Sequence, residues 1–106
     1  MTGWRITVSP EAREDIRGIH TYIASVLLSP EAAKSVIDRI LKSIATLDNF
    51  PHRYALYERE PWHSRGLRKM SVGNYLVFYL TAEETNTVIV LRVFYAGRNI
   101  EKCLEE

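Results

Sequence analysis

Lys69, Arg92, Arg98 and Tyr95 are the residues whose types and spacing could do chemistry. Three of them fall in the stretch VIVLRVFYAGRN, Val88 to Asn99. It begins as a buried strand; then Arg92 interrupts the apolar run, Tyr95 closes it and Arg98 follows Gly97. A guanidinium makes paired hydrogen bonds with carboxylate or phosphate, so both are candidate ligands. Cutting RNA beside a 2′-hydroxyl asks for more. It needs a base or its electrostatic equivalent, charge stabilisation for the phosphorane, and help for the leaving oxygen. Lys69, Arg98 and Tyr95 are the catalytic candidates. Arg92, Arg98, Tyr95 and Lys69 are the candidates for binding a target. Acidic side chains of a partner protein would satisfy the arginines as well as RNA would, which makes them binding residues first.

Other chemistries find little support. Three scattered histidines and one cysteine do not make a metal-ligand set, and no cofactor is expected. No glycine-rich phosphate loop or serine triad is present. A formal net charge of +1 does not announce a nucleic-acid binder, so any basic site must come from local clustering. Cys103 has no second cysteine to pair with, which fits a reducing compartment. No run approaches the length of a membrane span or a signal peptide. The expectation is a cytoplasmic protein with no membrane contact. The 106 residues fit one domain over 1–106, and 46% hydrophobic content lets it bury a core without staples.

The elements that must position these residues read as follows. WRITV, Trp4 to Val8, is a short β-branched strand. SPEA follows at Ser9 and again at Ser29. A serine cap before proline at the first helical position is a helix start, because the serine oxygen accepts a free backbone N–H and proline has none to lose. Ala12, Ile16, Ile19, Ile23 and Val26 then recur at steps of four and three, as do Ala33, Ile37, Ile40, Ile44 and Leu47. Each set is one apolar helical stripe. The short link predicts an antiparallel helical hairpin, and DNFP, Asp48 to Pro51, ends it. HRYALYEREPWHSRG has no period and reads as an ordered loop. LRKMSV and YLVFYL flank Gly73-Asn74, which predicts a tight β-hairpin. TAEETN is a turn, TVIVLRVFY the last strand, and NIEKCLEE a short terminal helix.

The order β-α-α-β-β-β predicts an α+β fold, with the helical hairpin on one face of a small antiparallel sheet. Pairing Val72 with Tyr75 puts Leu67, Lys69, Leu76, Phe78 and Leu80 on one sheet face. Arg68, Met70, Val72, Tyr75, Val77 and Tyr79 share the other. Arg92 shares parity with Phe94, so it is expected beside Phe78 and Lys69. Both faces are apolar, so something should cover the face the helices leave open. A partner chain is the expected cover; the alternative is the loop around Trp62.

SPEAREDIRGIHTYIA, SPEAA, LDNFP, GLRKMSVGNYLVFY and VLRVFYAGRN fall in an order that resembles the RelE/ParE superfamily of toxins from bacterial type II toxin–antitoxin modules. The ParE-like branch is most similar. The resemblance implies a cognate antitoxin whose C-terminal segment wraps the toxin, with operator DNA contacted only through it. It leaves open whether a homodimer or a hetero-oligomer forms. It offers two activities: RelE-like members cut mRNA on the ribosome, whereas ParE-like members poison DNA gyrase without a hydrolytic site of their own.

Within the resemblance, RelE-type enzymes carry a basic cradle and a tyrosine in the terminal helix. This chain matches it at Lys69 and Arg98. It has Leu67 and Leu76 where the cradle would hold a lysine and the hairpin arginine, and Leu104 about where the tyrosine would fall. Another group uses a Glu, an Arg and a late His. Here the late position is about Tyr95, while His20 lies on the first helix and His52, His63 and Glu58 lie on the loop. The resulting expectation is a ParE-like toxin that does not cleave. The alternatives are a RelE-like ribosome-dependent mRNA endonuclease with a reduced basic site, or a degenerate toxin that only binds antitoxin. Leu67, Leu76, Phe78 and Leu80 are the expected antitoxin contacts.

Overall fold

A computed structural model describes residues 3–105. Strand β1, Arg5–Val8, leads into helix α1, Pro10–Thr21, and a π-helical segment, Tyr22–Val26. Helix α2, Pro30–Ala45, runs back along α1. After two 3₁₀ turns and the long loop come β2, Arg68–Val72, β3, Tyr75–Ala82, and β4, Thr87–Tyr95. The short helix α3, Ile100–Glu105, follows.

Ser9 starts α1 as its sequence predicts. Its Oγ accepts from the Ala12 amide at 3.0 Å and donates to the Leu91 carbonyl at 2.9 Å, tying the helix start to β4. Ser29 precedes α2 without a side-chain cap bond. The α2 stripe is as expected, with Ala33, Ile40, Ile44 and Leu47 buried. The α1 stripe breaks. The Leu27 amide reaches back to the Tyr22 carbonyl, five residues away, and the wider turn rotates Val26 off the core to 61% exposure.

The sheet order is β1-β4-β3-β2. The β2–β3 hairpin has the predicted register, with Val72 opposite Tyr75 and Lys69 opposite Phe78. The sheet is mixed and not all antiparallel, because β1 lies parallel to β4. Parallel neighbours need a long crossover, and here the helical hairpin, β2 and β3 supply it. A β-bulge separates the pairs Phe78–Arg92 and Tyr79–Val90, leaving Leu91 as the extra residue. The bulge lets Val88, Val90 and Val93 all join the core under the helices, while Arg92 and Phe94 face the other way.

That other face is not open, contrary to expectation. The loop and α3 of the same chain close over it. Tyr57, Leu67, Phe78, Phe94 and Cys103 form a buried cluster, flanked by Trp62, Leu76, Leu80, Ile100 and Leu104. The aperiodic loop is held as an extra edge. The Tyr57 amide donates to the Leu67 carbonyl at 2.7 Å, and the Lys69 amide to the Ala55 carbonyl at 3.2 Å. Tyr57 then packs edge-on against Phe78, with ring centroids 5.4 Å apart. Leu67 and Phe78, expected to face an antitoxin, are core residues of this chain. Leu76 and Leu80 remain half-buried.

Candidate functional site

Lys69 stands on β2, in the face closed by the loop. Its Nζ lies 3.5 Å from a Glu58 carboxylate oxygen and 5.4 Å from the centre of the Tyr57 ring. Arg98 sits in the turn after β4, where its amide donates to the Tyr95 carbonyl at 3.1 Å. Its guanidinium carbon is 5.7 Å from the Phe94 ring centre. Lys69 and Arg98 line one shallow groove of about 650 Å³ with Tyr57, Glu58, Leu76 and Glu101. Two of the expected site residues therefore converge.

The electrostatics of this groove favour binding over proton transfer. Burial, and then a hydrogen bond with Glu101, raise the Tyr57 hydroxyl far above its ordinary value, so Tyr57 keeps its proton. Glu101 is occupied by that hydroxyl. Glu58 is held below the usual carboxylate range by its own backbone amide and then by Lys69. Leu76 shares the groove with three cations, Arg59, Lys69 and Arg98. The arrangement can hold a phosphate or carboxylate, and its buried tyrosine is held protonated.

Arg92 does not join Lys69 in a positive patch. Its side chain crosses the Phe94 ring at 4.6 Å and meets Asp15 of α1, with Nε to Oδ2 at 2.7 Å and Nη2 to Oδ1 at 2.9 Å. Asp15 Oδ2 also accepts from the Val93 amide at 2.9 Å, and Arg92 Nη1 donates to the Cys103 carbonyl at 3.2 Å. Arg92 ties α1, β4 and α3 together, and Asp15 balances its charge.

Tyr95 pairs with Tyr75 on the helical side of the sheet and not with Lys69. Its ring lies edge-on to Tyr75, centroids 5.8 Å apart, and folds over Gly97. A Cβ at Gly97 would stand 2.6 Å from the Tyr95 Cε2, so a larger residue there would displace the Tyr95 ring. Arg98 is the link between the two sides, since it lines the grooves of both Lys69 and Tyr95.

The histidines lie elsewhere. His52 bonds Glu83 through Nε2 at 2.6 Å and packs edge-on to Trp4. His63 approaches Glu60, and His20 is exposed on α1. None of them lines the Lys69–Arg98 groove, so a Glu-Arg-His arrangement with Glu58 is not assembled. Among the described residues no group of three or more His, Cys, Asp or Glu could hold a metal ion. No helix among them is long and apolar enough to cross a membrane.

A second groove, of about 690 Å³, was not legible in the sequence. Glu14, Gly18, Ile19 and Tyr22 of the α1 side face Tyr75, Tyr95 and Arg98 across it. Tyr22, Leu27 and Tyr95 are each at least half exposed. Burial raises the Tyr75 hydroxyl, and the Tyr95 and Tyr22 hydroxyls add to the shift. The hairpin tip carries Leu28 at 81% exposure and φ 55°, a left-handed backbone that costs leucine about 1–2 kcal/mol.

Comparisons with known proteins agree with this architecture. No curated protein sequence matches the chain. Solved structures do. A chain from the chromosomal ParDE toxin–antitoxin system of P. aeruginosa superposes with TM-score 0.70 at 18% identity, covering 86% of this chain and 94% of that one. A chain of the RelBE2 toxin–antitoxin complex from Mycobacterium tuberculosis gives 0.61 at 21% identity, covering 90% and 93%. The isolated RelE toxin of E. coli gives 0.61 at 15% identity, covering 96% of each. At these identities the likeness is one of fold. The family model for the ParE toxin of the type II toxin-antitoxin system parDE matches residues 6–100. That match spans nearly the whole chain, which therefore belongs to the ParE toxin family as the toxin component of a type II toxin–antitoxin system.

Proposed function

We propose that this toxin arrests growth by binding DNA gyrase rather than by cutting RNA, and that a cognate antitoxin neutralises it. The observation that carries the proposal is the composition of the Lys69–Arg98 groove. Arg59, Lys69 and Arg98 line it together with Leu76, and its tyrosine is buried against Glu101 and keeps its proton. Such a surface can grip an anionic group of a protein or nucleic-acid target, but it offers no proton relay for a phosphorane. Arg98 is the principal contact, because no carboxylate of the described residues forms an ion pair with it. Lys69 supports it from β2, and Tyr95 extends the contact on the other side of Arg98.

A ribosome-dependent endonuclease is the second reading, favoured by the presence of Lys69, Arg98 and Tyr57 in one groove. Two assays of the purified chain separate them. Supercoiling of relaxed plasmid by gyrase should be inhibited, and message on purified ribosomes should stay intact. Message cut in the ribosomal A site, with supercoiling untouched, would reverse the assignment.

A further inference from the structure

Glu58 stands inside the Lys69–Arg98 groove, with a carboxylate oxygen 3.5 Å from Lys69 Nζ. The pair does little for the fold. The Lys69 and Glu58 side chains are 33% and 65% exposed, and exposed ion pairs contribute little to stability. The loop does not need this tie, because the Tyr57 amide already holds the Leu67 carbonyl and the Lys69 amide the Ala55 carbonyl. The carboxylate is still placed, since the Glu58 backbone amide holds it as well. The other charges of the groove are arranged differently. Among the described residues neither Arg59 nor Arg98 forms an ion pair with a carboxylate. The second carboxylate, Glu101, is taken by the Tyr57 hydroxyl. Of the three cations, Lys69 alone meets a carboxylate of its own chain, and that carboxylate sits on an exposed side chain that can rotate into solvent.

We propose that Glu58 is a built-in competitor: it occupies Lys69 in the free toxin in place of an acidic side chain of the target protein, and the target displaces it on binding. The proposal rests on the target-binding role given to this groove above, and it names the chemical class of the group that Lys69 receives. Exchanging one carboxylate for another leaves the charge around Lys69 unchanged. A nucleic-acid backbone brings a run of negative charge, and it would meet Glu101, which Tyr57 holds in the groove. Leu76, Ala96 and Ile100 line the same groove and suit the apolar parts of a peptide. An incoming carboxylate has to break the Glu58 contact and approach against the Glu58 charge, so Glu58 raises the concentration at which the toxin acts. It also discriminates. A lone carboxylate gains nothing at Lys69 that Glu58 does not already supply. A segment whose further acidic residues reach Arg59 and Arg98 makes contacts that Glu58 does not make. A repulsive element that rejects weaker partners is one route to specificity.

Glu58→Gln, Lys69→Met and the double variant form a cycle that tests this. Neither side chain is buried, so all three chains should fold and melt close to the parent. The first readout is growth arrest on expression without antitoxin, which does not depend on which protein is the target. Glu58→Gln keeps the side-chain shape and removes the charge. It should arrest growth at about fivefold lower expression than the parent, the upper end of what an exposed ion pair contributes. Lys69→Met should weaken arrest, and adding Glu58→Gln to it should change potency by less than about twofold. The second readout is inhibition of supercoiling by purified DNA gyrase. The variants should keep the same order there, and the advantage of Glu58→Gln should shrink as added salt screens the charge. No gain on Glu58→Gln, or an equal gain with methionine at position 69, overturns the proposal. A Glu58→Gln chain that gains more affinity for a single-stranded RNA oligonucleotide than for gyrase gives Lys69 to phosphate and also overturns it. A growth cycle that comes out as expected while neither the parent nor Glu58→Gln inhibits gyrase brings down the gyrase reading alone and leaves the competitor standing.

Discussion

Arg92 and Asp15 form a two-contact ion pair across the edge of the sheet, at 2.7 and 2.9 Å, with both side chains mostly shielded from water. β1 ends at Val8, so the later part of β4 has no strand on that side, and Asp15 takes the Val93 amide in its place. Removing one partner of a buried pair leaves an uncompensated charge and typically costs about 3–5 kcal/mol. Asp15→Ala also orphans the Val93 amide. Urea denaturation of Asp15→Ala should show a loss of about 3 kcal/mol, whereas the double change Asp15→Leu with Arg92→Met should recover most of it. A loss below about 1 kcal/mol in the single variant would show that the pair is only a surface contact.

The closure of the second sheet face predicts a stability role for Phe78. Its side chain is fully buried between Tyr57 and Phe94. Truncating a buried phenylalanine costs about 3–5 kcal/mol. Phe78→Ala should therefore lower the melting temperature sharply even with no partner present. A variant that melts like the parent would mean that the loop and α3 do not cover this face.

The alkaline limb of stability should report Tyr79. Its hydroxyl donates to the Pro51 carbonyl at 2.7 Å, and burial pushes it up to about 12 from an ordinary 10.0. A folded value above the unfolded one means the contribution is complete below pH 10 and is lost as pH rises from 10 through about 12. Tyr57 and Tyr75, also raised by burial, act in the same direction. Denaturation midpoints should fall between pH 9 and pH 11, before the folded chain's Tyr79 absorbance at 295 nm rises near pH 12. Equal midpoints at the two pH values would contradict the buried hydroxyls.

What the sequence shows here is what short-range periodicity can carry. Ser9-Pro10 and Ser29-Pro30 mark the helix starts, the isoleucine stripes mark the buried helical sides, and Gly73-Asn74 fixes the hairpin register. What it hides depends on contacts between distant residues or on a single irregular turn. The bulge at Leu91 separates Arg92 from Val90, and only the folded chain brings Arg92 to Asp15. The loop around Tyr57 has no period, so its role as a cover was invisible until its backbone bonded Leu67 and Lys69. Lys69 and Arg98 were recognised separately in the sequence and prove to share a groove. Arg92 stands opposite Phe78 as strand parity predicts, but its side chain is drawn to Asp15, and Tyr95 lies on the helical side of the sheet.

Growth arrest on expression without antitoxin tests the central claim, that the toxin acts through Arg98 as a binding residue. Arg98 is exposed in a turn and meets the core only where its guanidinium lies over the Phe94 ring, so Arg98→Ala should fold with at most a small fall in melting temperature. The parent chain should stop growth, and Arg98→Ala at equal expression should require roughly tenfold more protein to do so, as expected for loss of one strong charged contact. Equal potency of the two chains, with both folded, would contradict the account.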